Sequence, residues 1–268
     1  MPKPPQKAPA SQRWEPHFEK MWAIMDLKRV AGTQRVTKSD NKLRASLVPF
    51  LNNEALDEIF DDLDALSHPV KLRRYVGDLL KGNDHLLAIK TCSWVVGDWG
   101  HIHTGHNSLK NWYDEWEGFQ RGKILDFINR IGSDRIASWS KLLSFAYPQF
   151  YPVYDARNGS ALNCVLKQIG IARRFPRVGT RVRAAKEVFD LMHKHMGQRY
   201  DLNYHQYNSL IDYMARSKFD GNILEAELSL FQGSKHILSA FLEMNQGKRS
   251  RSSSSYGSSH LARGSFIV

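Results

Sequence analysis

The sequence predicts an all-α fold. Apolar residues recur every three to four positions along most of the chain, the spacing that gathers them on one helical face. Alternation of apolar and polar residues over strand length is scarce. Glycines and small polar residues fall where one periodic stretch stops and the next begins. No repeat of fixed period is evident, so the expectation is a compact helical protein with short connections.

Taken in order, residues 1–12 read as a Pro/Lys-rich flexible arm. Helices are expected near 14–28, 40–51, 53–65, 69–81, 83–95, 107–118, 121–131, 133–147, 157–169, 180–196, 203–216, 221–231 and 234–244. Asp40, Ser133 and Thr180 are expected N-caps, because a short side-chain oxygen satisfies the free N–H groups of a first turn. Gly82, Gly132, Gly170 and Gly197 are expected stops. Residues 13–246 form one helical domain on this reading. The tail 247–268 is Ser/Arg-rich and aperiodic. It buries too little apolar surface to offset its ordering entropy and is expected to be disordered.

A chain of 268 residues with 42% hydrophobic content can bury a sizeable core. No apolar run approaches the roughly 18 residues of a membrane span, and no membrane partner is expected. The N-terminal residues lack the apolar stretch of a secretory signal. Cys92 and Cys164 cannot make a disulfide framework, and no CxxC pair exists for zinc. A cytoplasmic monomer is expected. The formal net charge of +11 attracts polyanions, nucleic acid first. That charge is segregated: from Ala156 to Lys186 there is no Asp or Glu, while Arg157, Lys167, Arg173, Arg174, Arg177, Arg181, Arg183 and Lys186 all fall there.

The segment 128–145, INRIGSDRIASWSKLLSF, reads as helix, glycine turn, helix. Such a hairpin can hold a DNA phosphate on the backbone N–H groups of its turn and second helix. Ile136, Trp139, Leu142, Leu143 and Ala146 form the apolar face of the second helix, with Ser140, Lys141 and Ser144 off it. The loop AYPQFYPVYDARNGSAL then delivers Asp155 just before a helix. Spacing alone makes Asp155 an N-cap. A carboxylate fixed in that way can also stabilise a positive charge developing nearby.

This hairpin followed by Pro-Val-x-Asp-x-Arg resembles the helix-hairpin-helix DNA glycosylase superfamily, in which an aspartate follows the hairpin by about twenty residues; here Gly132 and Asp155 are 23 apart. SKLLSFAYPQFYPVYDARNGSAL is more closely similar to divergent bacterial proteins with an 8-oxoguanine-glycosylase-like fold, some of which defend against phage by removing modified bases. The resemblance covers 121–170, under a fifth of the chain. Two features depart from it. The hairpin is Ile-Gly-Ser-Asp rather than Gly-hydrophobic-Gly, and Arg135 stands near the hairpin lysine of bifunctional members.

The resemblance implies a DNA glycosylase that flips a modified or damaged base out of double-stranded DNA, modified phage DNA included, and cleaves its N-glycosidic bond. Asp155 matches the catalytic aspartate, and Lys141 matches the signature lysine, as nucleophile or phosphate anchor. The DNA backbone falls to Ser133, Arg135, Arg157, Asn158, Arg173, Arg174, Arg177, Arg181 and Arg183. The base pocket falls to Trp99, His101, His103 and Trp112. No metal or organic cofactor is required. Two alternatives stay open: a non-catalytic nucleic-acid-binding protein, and a metal-dependent nuclease using Asp98, His101 and His103. His101, His103 and His106 have no acidic or cysteine partner at an obvious spacing for zinc. Tyr204, Tyr207 and Tyr213 share a C-terminal helix and are expected at the domain surface.

Overall fold

A computed structural model describes residues 14–30, 38–61, 64–102, 135–196 and 200–254. Among these residues the chain forms ten α-helices and one π-helical turn, with no strand. They are α1 (Glu15–Met25), α2 (Lys38–Leu47), α3 (Asn53–Phe60), α4 (Ser67–Lys81), α5 (His85–Trp94), the π turn (Val95–Trp99), α6 (Ile136–Ala146), α7 (Ala156–Gln168), α8 (Arg183–Met196), α9 (Tyr204–Lys218) and α10 (Ile223–Ser254). The all-α expectation holds. The hairpin turn around Gly132 and Ser133, and the expected helices 107–118 and 121–131, lie outside the described residues.

Local chemistry sets several boundaries. Asn52 and Asp84 each accept a hydrogen bond from the backbone N–H three residues on, starting α3 and α5. Asn203 and Gln206 close a reciprocal capping box at α9. Gly170 follows α7 in the left-handed region at φ 81°, where glycine has no steric penalty. Other expected caps differ. Asp40 lies inside the first turn of α2, where its charge suits the helix dipole. Thr180 accepts from the Val182 N–H at 3.0 Å in a turn before α8.

Two expectations about the C-terminus are corrected. Helices 221–231 and 234–244 are one helix, α10, which runs through the Gln232–Gly233 junction. Gly233 marks close packing: a Cβ there would stand 2.3 Å from Leu27 Cδ2. The helix also continues to Ser254, eight residues into the segment expected to be disordered. A helix already nucleated by packing extends at little cost, which composition does not register.

The core is one continuous cluster to which every helix from α1 to α10 contributes. α7 packs most extensively on α10, and α4 on α6. Arg157 and Lys167, at opposite ends of α7, stand over Phe231 and Phe241 of α10 at 4.7 and 5.4 Å, which registers the two helices. Tyr204 and Tyr207 are buried rather than at the surface, while Tyr213 is half-buried. α6 is buried on nearly every side. Ser140, Lys141 and Ser144, expected on its polar face, are all inside. The α4–α6 approach requires Gly77, since a Cβ there would lie 2.2 Å from the Phe145 carbonyl oxygen. Gly77→Ala is therefore expected to destabilise the fold by about 1–3 kcal/mol by overpacking. A urea titration would show this as a lower midpoint with an unchanged slope.

Candidate functional site

The site forms where α6 meets the extended segment that leads into α7. Ser140 grips Tyr154 at both ends of its backbone: Tyr154 N–H donates to Ser140 Oγ at 2.9 Å, and that hydroxyl donates to Tyr154 O at 3.1 Å. Lys141 and Asp155 are the next residue in each segment, and the clasp brings them close enough for their charges to bear on each other. Asp155 is the N-cap of α7; its Oδ1 accepts from the Asn158 N–H at 2.8 Å.

The segment from Pro152 to Tyr154 is hydrogen-bonded at each step. Tyr204 Oη donates to Pro152 O at 2.7 Å, and Tyr207 Oη to Val153 O at 2.7 Å. Val153 N–H donates to Glu227 Oε2 at 2.9 Å. Tyr154 Oη donates to Pro176 O at 2.5 Å, and Gly159 makes room for that phenol, since a Cβ would stand 2.4 Å from it. Asn158 Nδ2 donates to Tyr207 Oη at 3.1 Å. The carboxylate of Asp155 thus sits at the end of a strap that has little freedom to move.

Lys141 is only 7% exposed. Its Nζ donates to Ala137 O at 3.1 Å, one turn back in α6. Its stem lies against Gly100, where a Cβ would stand 2.7 Å from Lys141 Cδ. Gly100 closes the π turn, its N–H donating to Val95 O at 2.9 Å. Such widened turns recur at functional sites. Here the turn lays Gly100, between Trp99 and His101, against the lysine stem. Trp99 is half-buried and meets Phe145 edge-on at 4.8 Å. His101 is exposed and holds φ 53°, a left-handed backbone uncommon outside glycine.

Electrostatics push the two central groups toward their neutral forms. Burial pulls the Lys141 amine below its ordinary value, against the pull of the Asp155 and Glu227 carboxylates. Burial raises the Asp155 carboxyl, opposed by the Asn158 N–H and the charges of Lys141 and Arg157. Asp155 nonetheless keeps a partly exposed edge. Burial also pushes Tyr151 up to about 12, and among the described residues its hydroxyl has no hydrogen-bond partner.

The expected DNA-contacting set needs correction. Asn158 is 1% exposed and serves the strap. Arg174 is 4% exposed, donates to Met192 O at 3.4 Å and faces the Tyr200 ring. Neither can meet a phosphate. Arg177 pairs with Asp190 at 2.9 Å and Arg183 with Glu187 at 2.7 Å, so the acid-free sequence is not an acid-free surface. Arg173, Arg177, Arg181 and Arg183 are exposed, Arg157 and Arg135 half-buried. Ser133, His103, His106 and Trp112 lie outside the described residues. Among the described residues no cluster of His, Cys, Asp and Glu could hold a metal ion, and no helix is long and apolar enough to cross a membrane.

Sequence reasoning missed Glu227, Arg73 and Ser140. The first two had a signal. Glu227 continues the stripe Ile223–Ala226–Leu230 of α10, and Arg73 the stripe Val76–Leu80 of α4. A charge on an apolar stripe needs a buried partner. Compared with known proteins, the chain matches no family model, no curated protein and no solved structure.

Burying these two groups has a sign that pH can reveal. The fold favours the neutral Asp155 carboxyl, so stability present at low pH is lost as pH rises through its raised folded value. Asp155→Asn keeps the cap and removes that loss. It should melt above the wild type at pH 7, with the advantage vanishing near pH 4, about the unfolded carboxyl value. For Lys141 the folded value is lowered, so stability returns as pH rises toward about 10. Lys141→Met should likewise melt higher at pH 7, with an advantage that shrinks in alkali. Differential scanning calorimetry across pH checks both.

Proposed function

We propose that the protein is a DNA glycosylase that excises a modified base, with Lys141 as amine nucleophile and Asp155 as the stabilising carboxylate. One observation carries the reading: a buried lysine driven toward its free amine and the carboxylate that caps α7 on a hydrogen-bonded strap bear on each other's charge. A neutral amine keeps a lone pair for attack, and a lysine becomes a nucleophile at neutral pH when burial suppresses its protonation. The resemblance of 121–170 to helix-hairpin-helix glycosylases points the same chemistry at C1′ of a nucleotide.

The step balances as follows. The C1′–N bond breaks as the base departs with its electron pair, and positive charge gathers on the sugar. Asp155 faces that charge. Lys141 Nζ forms a bond to C1′, and the proton it sheds matches the one the departing base takes up. Ring opening then gives a Schiff base between Lys141 and the sugar. Trp99 and His101, on either side of the Gly100 that packs on the Lys141 stem, would meet the extruded base. Arg173 and Arg181 are the exposed cations offered to the phosphates. Modified viral DNA is the substrate class favoured by the resemblance.

The test is borohydride trapping on duplexes that carry 8-oxoguanine or glucosylated hydroxymethylcytosine, with and without EDTA. A covalent protein–DNA adduct is expected, insensitive to EDTA and absent in Lys141→Gln. Asp155→Asn should slow base release by about 100-fold or more. Full activity in Asp155→Asn, or activity abolished by EDTA, would overturn the assignment. Release of the base without trapping would reduce Lys141 to an anchor and make water the nucleophile. Binding with no product on any modified duplex would favour the non-catalytic alternative.

DNA affinity separates the arginines. Arg181→Ala should weaken binding and flatten the dependence of log K on log salt by about one unit per lost phosphate contact. Arg174→Ala should instead lower the melting temperature, because it empties a buried position. Equal salt slopes for wild type and Arg181→Ala would remove that residue from the interface.

A further inference from the structure

The proposed reaction gives no task to the buried carboxylate of Glu227. Glu227 is 4% exposed in the middle of the molecule. Its Oε1 accepts from Arg73 Nη2 at 2.6 Å. Its Oε2 accepts from Arg73 Nη1 at 2.9 Å and from the Val153 N–H at 2.9 Å. Holding α4 to α10 does not require ions, since apolar residues of like volume serve as well or better in such places. Glu227 does something an apolar residue cannot. It bonds to the strap two residues before Asp155, and its charge bears on both Lys141 and Asp155.

We propose that Glu227 is the positioning residue of the Lys141–Asp155 site: through Val153 it fixes where the Asp155 carboxylate stands, and with Arg73 it sets how much negative charge faces Lys141. This rests on the reading of Lys141 and Asp155 as the reacting pair. The groups around the amine fit the role. Asp155 faces it from the start of α7 and Glu227 from α10. Arg157 bears on Asp155, and Arg73 on Glu227. Tyr147, Tyr151, Tyr204 and Tyr207 are all pushed above the usual phenol value and stay uncharged near neutrality. Asp98 and His101, from the π turn, are exposed to solvent. Among the described residues, Glu227 is thus the carboxylate besides Asp155 that acts on the amine.

Competitive labelling of the full chain with acetic anhydride tests this without DNA. The rate of Lys141 acetylation against pH, read by peptide mass spectrometry, gives the midpoint of the amine. Glu227→Gln removes a facing negative charge and leaves Arg73 uncompensated. Both changes disfavour the ammonium, so the midpoint should fall by about one pH unit. Loosening or unfolding would do the reverse and return Lys141 to an ordinary lysine. Glu227→Asp should restore the midpoint. Arg73→Met/Glu227→Gln, which leaves no uncompensated charge to block folding, should lie between the single variant and the wild type. An unchanged or raised midpoint in Glu227→Gln, or in the double variant if the single does not fold, overturns the inference. A wild-type Lys141 that labels like a surface lysine instead removes the amine nucleophile of the proposed reaction, whatever Glu227 does.

Discussion

The buried pair between Arg73 and Glu227 is the contact on which the rest of the molecule's centre depends. It is bidentate and nearly solvent-free, and it joins α4 to α10 across 154 positions of sequence. Breaking such a pair by removing one partner costs about 3–5 kcal/mol, because the other charge is then stranded. Keeping it offers little net stability over an apolar replacement. What distinguishes it is direction. The third hydrogen bond to Glu227 comes from Val153, so the pair orients a backbone segment as well as two helices. Arg73 also lies 5.9 Å from the Phe145 ring, and Phe145 is the residue whose carbonyl the missing side chain of Gly77 admits. Helix spacing, strap position and ion pair are therefore set together.

In the proposed reaction Asp155 has to combine two conditions that oppose each other. It must be desolvated enough for its charge to be felt strongly, and open enough to meet a substrate. The cap at the start of α7 serves the first condition by giving Oδ1 a backbone N–H in place of water. The partial exposure of the residue serves the second. Capping and chemistry are compatible here: the cap holds the carboxylate still. Tyr204, Tyr207 and Ser140 add the remaining hydrogen bonds, and each comes from a different part of the fold or a different turn of it.

Much of the scaffold was legible in the sequence. Periodicity located most of the described helices, and Asp155 and Gly170 act as cap and stop as their residue types suggest. The failures have physical causes. The gap at 232–233 between two expected helices is not a break, and there the missing side chain of Gly233 admits Leu27 from a distant segment. The polar residues of α6 looked solvated, because one helix's periodicity cannot show that its other sides are covered by α4, the π turn and the strap. The acid-free stretch after Ala156 looked like a phosphate-binding surface. Its partners are Glu187 and Asp190, just beyond the window, and the rings of α10, none of which a local count of charges includes. Lys141 and Asp155 were identifiable as residues. Their adjacency was not, since it rests on the Ser140–Tyr154 clasp and on Glu227, 72 positions past Asp155.

Lys141 and Asp155 are best regarded as one titrating unit. Burial moves the lysine down and the aspartic acid up, so their proton affinities converge. In water the proton belongs to the amine by several powers of ten. In this site burial moves the two affinities toward each other, and a third charge also bears on both groups. Glu227 supplies that charge, and Arg73 limits it. A substrate that excluded the remaining solvent from Asp155 would shift the balance again, toward the form in which the amine is free and the carboxyl protonated. As positive charge then grew on the sugar, the carboxylate would regain its advantage. In the proposed reaction such a pair would supply a nucleophile early and an anion later.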